Sequence, residues 1–166
     1  MQAVLQMNRK EQISYNTAAF CQYSLMAKPT NDAKSANLFP PIELTCFQAK
    51  EQMEETIIRW MHRIISNQQQ FTVQLVQHID AHTGNLQINI TDKLPFMHLV
   101  AKLQVVNQYI NGNGCPDMQF SIQPQLNFVQ TEYLFNGSIE IHEFVLLKKY
   151  HQFDAYKQVN VFGLRP

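Results

Sequence analysis

The sequence predicts an α+β domain built mainly on antiparallel sheet. Three observations carry this. Short segments that alternate apolar and polar side chains, or are rich in β-branched residues, read as strands. Two longer segments repeat apolar residues at helical spacing. Their order is strand, strand, helix, strand, strand, helix, strand, strand, strand, so a strand–helix–strand–strand passage occurs twice and hints at a duplicated unit. A chain of 166 residues suits one domain, with room for two small lobes within it.

Residues 1–18 are polar and weakly patterned, and are expected to form a loosely docked arm ahead of a single domain over 19–166. Ala19 to Ala27 reads as the first strand. Lys28 to Phe39 contains Pro29, Asn31, Asp32, Ser35 and Asn37, which is loop composition. The stretch Pro40-Pro41-Ile42-Glu43-Leu44-Thr45-Cys46-Phe47 is a strand that feeds a helix through a very short turn. Its alternation puts Ile42, Leu44 and Cys46 toward the core. Pro41, Glu43, Thr45 and Phe47 then face a ligand or water.

The helix that follows spans Ala49 to Ser66. Met53, Ile57, Trp60 and Ile64 mark its apolar stripe, with Met61 and Ile65 beside it. Glu51, Glu54 and Glu55 near its start, and Arg59, His62 and Arg63 near its end, match the helix dipole. Phe71–Val76 and Leu86–Ile90 alternate as a strand pair and suggest a hairpin. Pro95 sits at the start of the second helix, as proline tolerates. Leu99, Leu103, Val106 and Ile110 form its buried stripe, and Asn111-Gly112-Asn113-Gly114 ends it with residues that accept positive φ. A later strand, Gln123 to Val129, puts Leu126 and Phe128 on one face and Gln125, Asn127 and Val129 on the other. Asn136-Gly137 is a turn signal. Ile139–Leu147 and Val159–Phe162 are the last strands.

Composition bounds the function. Hydrophobic residues make up 45% of the chain, enough for a sizeable core, while only 16% are charged and the net charge is zero. A neutral total argues against a dominant phosphate-tracking surface, and leaves room for a local basic cleft. Cys21, Cys46 and Cys115 are odd in number and form no CxxC, so they read as reduced thiols in a cytoplasmic protein. No apolar run is long enough to span a bilayer, and no basic-then-apolar leader opens the chain, so neither a membrane partner nor a signal peptide is expected. No glycine-rich phosphate loop or Ser-His-Asp order occurs, and no cofactor is expected. His78-Ile79-Asp80-Ala81-His82 has metal-ligand residue types, but it falls in a hairpin loop and reads as exposed polar side chains, so no metal is expected. Lys148, Lys149, Lys157 and Arg165 make the C-terminal part basic and read as a solvated face.

Certain stretches resemble a known family. Met53-Glu54-Glu55-Thr56-Ile57-Ile58-Arg59-Trp60, after a Pro-x-Ile-x-Leu strand, is similar to a bacterial branch of the 2H phosphoesterase superfamily, the 2′-5′ RNA ligase-like proteins. So is Phe144-Val145-Leu146-Leu147-Lys148-Lys149, followed by the Tyr156 to Phe162 ending. The resemblance covers roughly residues 19–163. It implies a bilobal fold in which two mainly antiparallel sheets flank a cleft, with helices packed outside. Each lobe contributes a strand carrying His-x-Thr or His-x-Ser. Opening a cyclic phosphodiester, or joining RNA ends, needs a general base and a general acid on opposite sides of the phosphorus, and histidines suit both tasks. The hydroxyl two residues on shares the strand face and donates to phosphate oxygens.

In this sequence the first motif falls at Pro41-Ile42-Glu43 and the second at Gln125-Leu126-Asn127. Neither holds His, Ser or Thr, and no histidine of the chain is followed two residues later by a hydroxyl residue. Pro41 and Gln125 cannot transfer a proton at ordinary pH, and each lost acid or base removes about 10²–10⁴-fold of rate. An ionised Glu43 would also repel phosphate. No catalytic residue is therefore assigned. Pro41, Glu43, Gln125 and Asn127 are the cleft positions that replace the motifs, with Thr45 as an additional one. The expectation is an inactive relative that binds RNA, a nucleotide or another ligand in a retained cleft. Two other readings stay open: a phosphoesterase with relocated groups such as Glu43 and His142, and a structural or partner-binding protein with a vestigial cleft.

Overall fold

The computed structural model describes residues 20–29, 41–124 and 137–166. In chain order they form β1 (Phe20–Pro29), β2 (Ile42–Lys50), a 3-10 turn (Glu51–Met53), α1 (Glu54–Ile65), β3 (Phe71–Ile79), β4 (Leu86–Ile90), α2 (Leu94–Gly112), β5 (Gln119–Pro124), β6 (Gly137–Lys149) and β7 (Lys157–Gly163). This is the predicted order of elements. Of the expected late strand, only Gln123 and Pro124 fall among the described residues, and they end a strand that begins at Gln119.

The strands pair in the order β4-β3-β6-β1-β2-β5, with β7 also on β6, and every pair is antiparallel. β6 spans the whole arrangement. Its first half pairs with β3 and its second half with β7, while β1 runs along its other edge. The two sheets implied by the resemblance are thus joined through β6 into one seven-stranded sheet among the described residues.

Both helices pack on one face of this sheet. In α1 and the turn before it, Met53, Ile57, Met61 and Ile65 are buried at steps of four, with Trp60 and Ile64 partly buried beside them. Trp60 packs on Tyr109 of α2, ring centres 5.1 Å apart. The expected stripe of α2 (Leu99, Leu103, Val106 and Ile110) is fully buried, joined by Phe96. The helix stops where the glycine signal lies, with Gly114 at φ +79°. From the sheet, Cys21, Tyr23, Leu25 and Ala27 of β1 and Ile139, Ile141, Phe144 and Leu146 of β6 complete the same core. No described helix covers the opposite face. No described helix is long and apolar enough to cross a membrane.

In β2 the structure corrects the simple alternation. The register against β5 shifts between Glu43 and Thr45, and the register against β1 shifts between Leu25 and Met26. A bulge adds one residue, and one residue reverses which side chains face the core. Ile42 and Leu44 remain in the core, followed by Phe47 and Ala49. Phe47, expected on the ligand-facing side, is buried and stacks on Tyr23 at 5.0 Å. Cys46, expected in the core, lies outside the core cluster and is half-buried.

Candidate functional site on the open face of the sheet

The helix-free face is the place where polar side chains gather. Ser24 alternates with the core residues Tyr23 and Leu25 and so points to this face. Its Oγ donates to Oε2 of Glu43 at 2.7 Å, and Ser24 is only 1% exposed, so the carboxylate is held by a buried hydroxyl. Past the bulge, Cys46 faces Ser24 across the β1–β2 pair. Burial, and then the negative charge of Glu43, push the Cys46 thiol above its ordinary value. Tyr156, from the loop between β6 and β7, belongs to the same patch. Burial comes first in raising its phenol, followed by Glu43 and Cys46. The ammonium of Lys149 lies 4.7 Å from the centre of the Tyr156 ring, within cation–π range.

Pro41 precedes β2 and is half-buried. Ile42 pairs with Pro124, and Glu43 with Gln123. Gln125 and Asn127 lie outside the described residues. Within β5, Ile122 has φ +45°, an outlier for a β-branched side chain, beside the irregular Glu43–Thr45 stretch of β2. Thr45 is placed differently from the expectation. It is fully buried, and its hydroxyl donates to the carbonyl of Gln119 at 2.8 Å, so it ties β2 to the edge strand and does not line the cleft. The cause is the bulge, which leaves Cys46 on the face where Thr45 was expected.

His142 also sits at a bulge, between Ile141 and Phe144 of the core, and its Nε2 lies 3.2 Å from Oε2 of Glu140, poorly aligned for a hydrogen bond. It does not converge with Glu43. The two strands are separated by β1, which is about 10 Å, and Glu43 aligns with Val145, three residues from His142, another roughly 10 Å along the strand. Side chains stand roughly perpendicular to a sheet, so the two tips are on the order of 14 Å apart. A base and an acid must each reach within about 3 Å of the groups they serve.

Lys148 is not the solvated cation the sequence suggested. It points to the helix-covered face, 7% exposed, with Glu54 at 2.7 Å and Glu51 at 3.0 Å. Tyr23 donates to Glu54 at 2.8 Å and Tyr150 to Glu51 at 2.7 Å. Burial alone would lower the Lys148 ammonium, but its hydrogen bonds to Glu54 and Glu51 outweigh that and raise it. Burial, then the bond to Glu54, raises the Tyr23 phenol. The bonds from Tyr150 and Lys148 lower Glu51. The expected His78–His82 loop is in part strand: His78 and Ile79 end β3, paired with Gln87 and Leu86, and the turn begins at Asp80, whose Oδ1 accepts the His82 N–H at 2.8 Å and whose carbonyl accepts the Gly84 N–H. Among the described residues no group of three His, Cys, Asp or Glu side chains is arranged to hold a metal.

No protein-family model and no curated protein sequence matches the chain. Solved structures do. E. coli LigT complexed with 3′-AMP aligns over 89% of this chain and 99% of its own, at 13% identity and a TM-score of 0.56. The protein TT0787 of Thermus thermophilus aligns over 87% and 98%, at 12% identity and a TM-score of 0.57. A further crystal structure of a phosphoesterase aligns over 90% and 99%, at 12% identity and a TM-score of 0.52. The chain has the LigT fold. This is the fold that the family resemblance in the sequence implied, and at these identities the likeness speaks for fold alone. Within the LigT fold, Ser24, Cys46 and Tyr156 are the members of the open-face patch that sequence reasoning missed. The alternation of Cys21, Tyr23 and Leu25 against Gln22 and Ser24 was a usable signal for Ser24. Cys46 was hidden by the bulge, and Tyr156 is brought in by a loop.

Proposed function

We propose that this protein is a catalytically inactive counterpart of the 2′-5′ RNA ligase and cyclic phosphodiesterase enzymes, and that it keeps the open face as a binding cleft for RNA or a nucleotide. The observation that carries this reading is the environment of Glu43. This residue occupies the place of the motif hydroxyl, and Ser24 anchors its carboxylate. Pro41, in the place of the histidine, has no proton to give. An anchored carboxylate accepts hydrogen bonds from ribose hydroxyls or base amino groups, and does not welcome a phosphorus under attack. The likeness to LigT, crystallised with 3′-AMP, supports a nucleotide as the ligand class. Gln125 and Asn127, as amides in place of the second motif, fit recognition better than proton transfer. The three reduced thiols fit a cytoplasmic setting. The spacing of Glu43 and His142 works against a relocated acid–base pair.

The test is a paired assay on the purified protein. Turnover of 2′,3′-cyclic nucleotides and 2′-5′-linked dinucleotides is followed, with thermal-shift binding of the same compounds alongside. The expected result is a shift in melting temperature without turnover. Turnover that disappears in Glu43→Ala overturns the inactive reading. Neither binding nor turnover makes the cleft vestigial and turns attention to protein partners.

A further inference from the structure

We propose that the far end of the open face holds a nucleotide site of its own, separate from the Glu43 position; the ligand class rests on the reading above. Gln22 of β1 pairs with Gln48 of β2 on one side and with Lys149 of β6 on the other, which forms a polar row across three strands. Gln48 is five residues along β2 from Glu43, roughly 16 Å at about 3.3 Å per residue. Above this row lies an open hollow of about 450 Å³, walled also by Phe20, Tyr150 and His151. That volume is within the usual range of about 300–1,000 Å³ for small-molecule sites.

The lining has three kinds of unused capacity. Phe20 keeps 46% of its surface exposed and offers a flat apolar ring. The side-chain amides of Gln22 and Gln48 have no hydrogen-bond partner among the described residues, and each carries a donor pair and an acceptor. Lys149 makes one long hydrogen bond, 3.3 Å to the carbonyl of Gln152, lies 4.7 Å from the centre of the Tyr156 ring at the border with the Glu43 patch, and pairs with no carboxylate among the described residues. The nearby carboxylate of Glu51 is already matched by Lys148 and Tyr150. A ligand that uses all three has an aromatic face, an edge of donors and acceptors, and an anion. A nucleobase joined to phosphate has these parts. Stacking on an aromatic side chain tolerates any base, the amides read its edge, and the ammonium takes the phosphate as a point charge.

The experiment is a ¹H–¹⁵N NMR titration of the full chain with adenosine 5′-monophosphate. The side-chain amide signals of Gln22 and Gln48 are expected to shift and saturate. Lys149→Ala is expected to weaken binding about tenfold or more, the worth of a charge-assisted hydrogen bond. Adenosine and ribose 5-phosphate, each carrying half of the recognised chemistry, should bind more weakly than the whole nucleotide. Gln48→Ala, at an exposed position with no packing role, supplies a second variant and should also weaken binding. Shifts centred on Ser24 and Glu43 overturn this site and leave the nucleotide-binding reading standing. Unchanged affinity in Lys149→Ala overturns it equally. No shift anywhere also overturns the site, and the assay with cyclic nucleotides and dinucleotides then decides the broader reading separately.

Discussion

On the helix-covered face of β6, Lys148 has two carboxylates within 3.0 Å and the Tyr150 ring 4.8 Å from its ammonium. One residue further on, Lys149 faces the open side, where a carbonyl and the Tyr156 ring are its neighbours. The two side chains are chemically identical and separated only by the period of the strand. On the helix-covered side the Lys148 ammonium is mostly shielded from water and would be costly to leave unmatched, so Glu51 of the 3-10 turn and Glu54 of α1 are needed. Their bonds to Tyr150 and Tyr23 extend the match and tie α1 to β1 and β6. On the open face, water screens the charge and no such match is required. The first lysine ties the turn and α1 to the sheet, while the second has no carboxylate partner among the described residues.

The largest effect should separate the two positions by stability. Lys148→Met removes one partner of a mostly buried pair and leaves Glu54 and Tyr23 facing each other. The expected loss is about 3 kcal/mol, at the low end for a broken buried pair. In a domain of this size that is roughly 6–12 °C in melting temperature. Lys149→Met should change stability by less than about 0.5 kcal/mol, as surface substitutions do. Thermal and urea unfolding of both variants would measure this, and equal losses would dissolve the contrast between the faces.

A smaller effect concerns pH. The ammonium of Lys148 is raised above its usual 10.5, so its contribution to stability is fully present below that pH and fades as pH rises through the folded value. Glu51 is lowered below its usual 4.5, so its contribution is present above that pH and is lost as pH falls through the folded value. The network therefore supports the fold between about 4.5 and 10.5 and weakens outside that window. In Lys148→Met, stability measured above pH 10 should fall less steeply than in the parent. An unchanged alkaline slope would mean that Lys148 is not the group responsible.

The contrast also marks what the sequence could reveal. Helix stripes such as Leu99, Leu103, Val106 and Ile110 were legible because a regular period repeats over several turns. The order of elements was legible for the same reason. Phe47, Cys46 and Thr45 were misplaced because one bulge residue shifts every side chain after it, and a bulge leaves little trace in composition. Lys148 was misread because its partners lie about a hundred residues away, beyond the reach of any local pattern. The assignment of Pro41 and Glu43 to the first motif position rests on family resemblance and on no local pattern. The hollow beside Gln22 and Gln48 is assembled from three strands and a loop, and no single stretch announces it.

The smallest effect tests the two faces through their thiols. Cys46 lies on the open face, where burial and then Glu43 raise its thiol. Cys21 lies in the core, where burial raises it and the positive charge of Lys148 opposes that. Glu43→Gln removes a negative charge near Cys46, so the thiolate fraction of Cys46 at pH 8 should rise. The expected gain in its alkylation rate by iodoacetamide is about twofold to threefold, because partial exposure screens the interaction and a less basic thiolate is also less nucleophilic. Cys21 should keep its slow rate in the same variant, since its surroundings contain no part of the Glu43 patch. Native-state labelling read by mass spectrometry resolves both cysteines at once. A response of Cys21 to Glu43→Gln, with none from Cys46, would show that the bulge in β2 does not turn Cys46 toward the open face, and the patch around Glu43 would have to be redrawn.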